Sequence, residues 1–275
     1  MAPLRFKGHK VEVAMSWREV AAALPSMTPA WKLSSCSSRS KRDRSAFHAL
    51  ASWDACVEAA HRGWDEGRAL VGPALDAALA QQRMERVPAT RLDCGGERPF
   101  IPAACAGDPR SMIRRRPAAL LHKPMLDVVV NCTASCGVPS QHLANRGAAV
   151  MAALTAAEVA GWPTRITVAF STGYGSKSVT VRVVVKEPGE RWDEDRLAFA
   201  LVCPDYMRRI MFAFVEACED LPDFAGGYGC VKDLKPAPGE VYFGSTMSSS
   251  DWATPEKARA NVVALLAKAH PGVAA

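Results

Sequence analysis

One segment constrains the fold of this chain more than any other: a β-branched apolar run followed by a polar loop and a long helical pattern. The run covers Leu126 to Val130, and the polar stretch from Asn131 to Ser135 follows it directly. Ser140 then begins an alanine-rich pattern that extends to Ala160. A strand, a polar loop and a helix in this order form half of a βαβ unit, which favours an α/β fold.

The segments after this unit predict further strands and helices. Residues 165–170 and 179–186 have the pattern of a hairpin, 241–243 that of a last strand, and the apolar run 197–202 that of a buried strand. Residues 206–218 and 255–269 have helical periodicity. We therefore predict an α/β domain over residues 125–275, a Rossmann-like mixed and mostly parallel sheet with flanking helices.

The first half of the chain has a different pattern. Residues 1–86 read as a mostly helical N-terminal region, with one helix stopped by Pro25 and another between a capping Ser52 and Gly63. Residues 87–124 are rich in proline and glycine, which predicts an irregular connector crossing the surface of the core. We expect the N-terminal region to dock on the sheet domain or on a second chain, with Phe100, Ile101 and Met112 tucked under the connector.

Composition limits where the protein acts. The chain has 275 residues, 49% hydrophobic and 23% charged, which is typical of a globular protein. No continuous apolar run follows the basic residues of Met1 to Val13, and no stretch approaches the roughly 18 apolar residues of a membrane span, so we expect neither secretion nor membrane insertion. Its nine cysteines are scattered, which indicates neither a disulfide framework nor a zinc ribbon. We expect a protein of a reducing cytoplasm, with no membrane partner.

Basic residues supply the net charge of +6 in two clusters. Arginines in such clusters can neutralise phosphates, which opens a nucleic-acid-binding function as an alternative. No aromatic side chains interleave with them to stack on bases, so solvated linkers remain the favoured interpretation. The arginines that carry the alternative are Arg42, Arg44, Arg114, Arg115 and Arg116.

The predicted sheet brings polar loops to its carboxyl edge, where residues 131–135, 203–205 and 244–251 should converge. An apolar strand ending in Asn131-x-Thr133-x-Ser135 before a long helix resembles the von Willebrand factor A fold. That fold has Asp-x-Ser-x-Ser at this point, and a Thr and an Asp from later loops complete its metal-ion-dependent adhesion site. The resemblance implies Asn131 at the aspartate position, Thr133 and Ser135 at the hydroxyl positions, and Asp205 as the later carboxylate.

The asparagine changes what this site can bind. A hard divalent cation prefers charged oxygen ligands, and an amide at position 131 removes one full negative charge. We therefore expect a degenerate metal site with weak Mg²⁺ binding, and a protein that requires no cofactor.

A second resemblance covers roughly Ser52 to Glu216. Its motifs are Ser52-Trp53, Gly63-Trp64-Asp65-Glu66-Gly67, Ala106-Gly107-Asp108-Pro109 and Arg146-Gly147-Ala148-Ala149. In combination they are similar to an uncharacterised family of tailed-bacteriophage proteins. The resemblance implies a phage protein that acts in the cytoplasm of a bacterial host.

The sequence offers no catalytic residue. It lacks a Gly-x-Ser-x-Gly nucleophile elbow, a metalloprotease histidine motif and a complete phosphate-binding loop. The favoured function is therefore a non-enzymatic interaction module that binds a protein partner or a second copy of itself. Nucleic-acid binding is the alternative, and an enzyme with an unrecognised site is a more distant one.

Overall fold

A computed structural model describes residues 10–27, 48–73, 76, 90–96, 98–115, 123–135, 137–174, 177–217, 231–247 and 250–269. In chain order the strands are β1 (Lys10–Ser16), β2 (Thr90–Asp93), β3 (Arg98–Pro99), β4 (Met112–Arg115), β5 (Leu126–Asn131), β6 (Thr164–Tyr174), β7 (Lys177–Lys186) and β8 (Glu240–Phe243). The helices are α1 (Trp17–Ala23), α2 (Trp53–Arg62), α3 (Ile101–Cys105), α4 (Ser140–Val159), α5 (Glu194–Leu201), α6 (Phe212–Glu216) and α7 (Pro255–Ala269). A π-helical segment, Tyr206–Met211, leads into α6.

The central sheet has five strands in the order β1-β7-β6-β5-β8. Its β1–β7, β6–β5 and β5–β8 pairs are parallel, and β6 and β7 form the predicted antiparallel hairpin. The prediction of a mixed, mostly parallel sheet with flanking helices is thus confirmed. Val128 and Ile166 are direct neighbours on β5 and β6 and are both fully buried, as expected for the centre of such a sheet.

The prediction of a strand at residues 197–202 is wrong, because this run belongs to helix α5. Asp193 caps the helix by accepting a hydrogen bond from Arg196 N at 3.0 Å. Leu197, Ala198, Phe199 and Ala200 are all buried. An apolar run that is buried throughout has no polar face, so its periodicity cannot separate a helix from a strand.

The N-terminal region contributes a strand as well as helices. The predicted helices are present as α1 and α2, and Ser52 accepts the capping hydrogen bond from Ala55 N. The prediction missed β1, which extends the central sheet beside β7. Trp17 and Trp53 pack in the same hydrophobic core as the strands. The core is therefore continuous from β1 to α7.

The segment predicted to be an irregular connector contains regular structure. Strands β2, β4 and β3 form a small antiparallel sheet, with the short helix α3 between β3 and β4. Phe100 is 40% exposed and Ile101 62% exposed, so the expectation that they lie under the connector is wrong. Within the described ranges, no helix is both long and apolar enough to cross a bilayer.

Candidate functional site at the carboxyl edge

Three parallel strands, β5, β6 and β8, end at the same edge of the sheet. The chain leaves β5 through α4 to reach β6 on one side, and β8 lies on the other side of β5. Strand order thus reverses at β5, and ligands of open α/β sheets bind in the crevice outside such a point. We call residues 131–135, which begin at the last residue of β5, and residues 244–247, which follow β8, the carboxyl edge.

Asn131, the last residue of β5, is the centre of the hydrogen bonds at this edge. Its buried side chain accepts a hydrogen bond from Thr133 N at 3.0 Å through Oδ1. Its Nδ2 donates to Tyr242 Oη at 3.0 Å, and it also lies 3.3 Å from Lys232 O and 3.4 Å from Asp233 Oδ1. An amide can donate and accept at once, whereas a carboxylate only accepts. Asparagine is thus the residue that this arrangement requires.

Asp233 supplies the carboxylate of the edge. It accepts hydrogen bonds from Tyr242 Oη and from Ser245 N, both at 2.8 Å. Burial raises the pKa of Asp233, but these hydrogen bonds outweigh burial and hold the pKa below its usual value. Burial, together with the charge of Asp233, raises the pKa of Tyr242. At neutral pH the pair is therefore a carboxylate and a neutral phenol.

Arg146 ties helix α4 to the ends of β5 and β8. It is buried and donates to Asn131 O at 2.9 Å, Phe243 O at 3.1 Å and Gly244 O at 2.6 Å. Its guanidinium lies over the Trp252 ring, 5.4 Å from the ring centre. Burial lowers the pKa of Arg146 to about 10, which leaves the group charged at neutral pH. Sequence analysis missed this role, although it singled out the motif Arg146-Gly147-Ala148-Ala149.

The two loops of the edge bond to each other as a short extension of the sheet. Thr246 N donates to Thr133 O at 2.9 Å, and Ser135 N donates to Thr246 O at 3.0 Å. The Thr133 hydroxyl accepts from Ser171 N at 2.8 Å, which connects the end of β6. Thr246 Oγ1 is buried without a hydrogen-bond partner among the described residues, and so is Ser245 Oγ.

Asp205 does not take part in this cluster. Since α5 ends at Leu201, residues 203–205 follow a helix and not a strand. Cys203 and Pro204 line a small cavity with Val130 and Cys132, but the Asp205 carboxylate bonds elsewhere. Asp205 Oδ1 contacts His48 Nδ1 at 2.5 Å and Arg209 Nε at 2.9 Å, and Oδ2 accepts from the backbone N–H groups of Ala49 and Leu50. Among the described residues it makes no hydrogen bond with Asn131, Thr133 or Ser135.

The carboxylate at Asn131 is instead Asp233, which sequence analysis did not identify. It lies in residues 231–239, a stretch outside the helices and the strands of the two sheets. Its position seven residues before β8 is the one sequence signal that it carries. The structure describes no group of three or more His, Cys, Asp and Glu side chains that could hold a metal ion, so weak Mg²⁺ binding remains a prediction.

Cys132 supplies a thiol at this edge. Burial raises the pKa of Cys132 to about 12, although the charge of Arg146 opposes the shift. A thiol with such a pKa stays protonated at neutral pH, and the thiolate is the reactive form. The polar groups of the edge thus bond to one another and hold two loops in a fixed geometry.

The arginines of the alternative function are only partly within the described residues. Arg114 lies on β4 with its side chain 64% exposed, and it pairs with Asp93 at 3.3 Å. Arg115 belongs to the same strand. The Arg115 side chain, Arg42, Arg44 and Arg116 lie outside the described residues.

A family model described as a domain of unknown function, DUF7192, matches residues 8–268. The chain belongs to this family. The match begins before β1 and ends within α7, so the DUF7192 unit includes the N-terminal strand as well as the carboxyl edge. No curated protein and no solved structure matches the chain significantly.

Proposed function

We propose that this DUF7192 protein is a non-enzymatic interaction module that binds a protein partner through its carboxyl edge. The observation that carries the proposal is the bonding of Asn131, whose amide uses both its donor and its acceptor atoms within the protein. The internally bonded amide of Asn131, the neutral phenol of Tyr242 and the protonated thiol of Cys132 support a preformed surface at the carboxyl edge. A preformed surface costs little conformational entropy when a partner binds.

Met247 gives this frame an apolar contact point. It follows the buried Thr246, whose backbone is bonded on both sides, and its own side chain is 66% exposed. Methionine is unbranched and polarizable, and it adapts to the shape of a partner. We infer that Met247 inserts into the partner, with the polar groups of residues 131–135 around it.

The resemblance of the motifs in residues 52–216 to tailed-bacteriophage proteins supports a place of action. We infer that the protein is a phage protein and that its partner is a protein of the bacterial host cytoplasm. The resemblance of Asn131-x-Thr133-x-Ser135 to an adhesion motif supports binding to a protein.

An affinity purification from expressing bacteria, with and without nuclease, tests this proposal. We expect a partner protein that survives nuclease treatment and is lost with Met247→Glu. Val263→Glu is the matched control, because Val263 is 43% exposed on α7 and lies outside residues 131–135 and 244–247. Loss of the partner on nuclease treatment, or equal retention by both variants, would contradict the proposal.

One observation favours nucleic-acid binding as a second candidate. Arg114 on β4 and Arg110, just before that strand, have side chains 64% and 68% exposed, and Phe100 between β3 and α3 is 40% exposed. Exposed arginines bind phosphates and an exposed ring stacks on a base. Binding to DNA or RNA should then weaken steeply between about 50 and 200 mM salt, and Arg114→Ala should reduce the slope. Absence of binding at the low-salt end would exclude this candidate.

A further inference from the structure

A groove of about 410 Å³ lies between α1, α2 and the start of α5. Arg18 lines it from α1, Arg62 from the end of α2, and Arg196 from the first turn of α5. Its lining residues all lie outside the carboxyl edge. Its volume falls within the range of about 300–1,000 Å³ that is usual for small-molecule sites.

The charges around this groove are unbalanced. Three arginines line it against a single carboxylate, that of Asp193. Arg196 is held by Glu190 at 2.7 Å and by Asp193 at 3.2 Å. Arg18 is exposed and makes no ion pair or hydrogen bond with any residue that the structure describes. Of the three arginines, Arg18 is therefore the one without a charged partner among the described residues.

A second arginine can be redirected toward a ligand at low cost. Arg62 pairs with Glu58 at 3.0 Å, but the two side chains are 80% and 64% exposed. An ion pair this exposed contributes little free energy, because water and salt screen it. Arg62 can therefore exchange Glu58 for a ligand. Guanidinium groups bind phosphates and carboxylates through paired hydrogen bonds, which makes Arg18 and Arg62 suited to an anion.

The wall of the groove is preformed. Trp17 Nε1 donates to Ala60 O at 3.1 Å, and the Trp17 ring stacks on Tyr206 at 5.9 Å. Gly63 ends α2 with φ of 88°, and a Cβ atom at this position would come within 2.4 Å of Asp195 Cβ. Only glycine allows this approach in this conformation. The fold thus fixes the distance between α2 and α5 that defines the groove.

The floor of the groove is apolar. Alanines at positions 21, 22 and 60 leave the space between the helices open, since each carries a single methyl group. We propose that the groove binds a small anionic ligand, with a phosphate or carboxylate group at Arg18 and Arg62 and an apolar part on the alanines. This site is separate from the carboxyl edge and does not depend on the protein-binding proposal.

Isothermal titration calorimetry of the full chain tests this inference. The probes are inorganic phosphate and pyrophosphate in one series, and citrate and glutarate in the other, so that phosphate and carboxylate ligands are distinguished. Arg18→Glu should weaken binding of the preferred probe about 10-fold or more, as loss of a charge-assisted hydrogen bond predicts. Arg259→Glu is the matched control, because Arg259 is exposed on α7 and lies outside the groove.

A second variant separates the groove from diffuse attraction to a basic protein. Ala22→Leu keeps the net charge and fills part of the groove, and Ala22 is exposed on α1, so the helix tolerates the change. We expect Ala22→Leu and Arg18→Glu both to weaken binding, with melting temperatures close to that of the parent chain. If no probe binds, if Ala22→Leu binds as the parent does, or if Arg259→Glu weakens binding as much as Arg18→Glu, the inference is wrong.

Discussion

Two aspartates with similar hydrogen-bond capacity have opposite surroundings in this protein. Asp205 is fully buried between a histidine, an arginine and two backbone N–H groups. Asp233 is exposed, and it accepts from Tyr242 and from a backbone N–H. Asp205 joins residues 48–50 to the core, whereas Asp233 bonds the groups that support the carboxyl edge. The comparison shows that burial and the neighbouring groups, rather than the number of hydrogen bonds, distinguish the two carboxylates.

The largest expected effect is on stability at the buried carboxylate. Asp205→Ala leaves the buried Arg209 without this partner and removes the anchor of Ala49 and Leu50, which should cost about 3–5 kcal/mol of unfolding free energy. Asp233→Ala should cost well under that, because Asp233 is exposed. Denaturation by urea measures both. Equal losses in the two variants would contradict the distinction between the two aspartates.

The same contrast predicts a dependence on pH. Burial raises the pKa of Asp205, but hydrogen bonds from His48 and Leu50 and the charges of His48 and Arg209 outweigh it, so the pKa lies below its usual value of 3.8. A carboxyl group whose pKa falls on folding stabilises the protein above its unfolded pKa. This stability should be lost as pH falls below about 3.8 toward the folded pKa. Unfolding free energies measured from pH 6 downward should fall more for the parent chain than for Asp205→Asn. Parallel curves of unfolding free energy against pH would contradict a stabilising role of the ionised Asp205 carboxylate.

Asn131→Asp sharpens the comparison at the carboxyl edge. The change places a second carboxylate about 3.4 Å from Asp233 Oδ1 and removes a donor, which should cost about 1–3 kcal/mol. A bound Mg²⁺ would offset the repulsion, so the melting temperature of the variant should rise with Mg²⁺ more than that of the parent. Asn261→Asp is the control, because Asn261 lies on α7 and its side-chain amide donates to the backbone oxygen of Asp251. No gain in Mg²⁺ response over this control would rule out a degenerate metal site.

The smallest effect is expected at the phenol of the edge. Tyr242→Phe removes a hydroxyl that bonds Asp233, Asn131 and Leu234 N, and should cost about 0.5–1.5 kcal/mol. Tyr206→Phe is the matched control, since the Tyr206 hydroxyl is buried without a hydrogen-bond partner among the described residues. That variant should be neutral or slightly more stable. Thermal unfolding of both variants measures which one loses more stability. A larger loss in Tyr206→Phe than in Tyr242→Phe would contradict the hydrogen-bonding role of the Tyr242 hydroxyl.

Much of the fold was predictable because its elements carry local signals. Strands β5 to β8 have β-branched or alternating patterns, and α4 and α7 have helical patterns with clear starts. Strand β1 was not predicted because its exposed positions include the charged Lys10 and Glu12 and follow a basic start, a pattern that resembles a solvated terminus. The site was predictable at Asn131, Thr133 and Ser135, which follow a clear strand. Asp233 and Arg146 were not, since long-range contacts place them there.

Site-specific photocrosslinking at the carboxyl edge tests the central proposal most directly. A photoreactive amino acid replaces Met247 in one variant and Val263 in another, and each is irradiated in living bacteria. We predict a crosslinked protein at position 247 that persists after nuclease treatment, and none at position 263. No adduct at position 247, or the same adducts at both positions, would contradict a protein-binding surface at this edge.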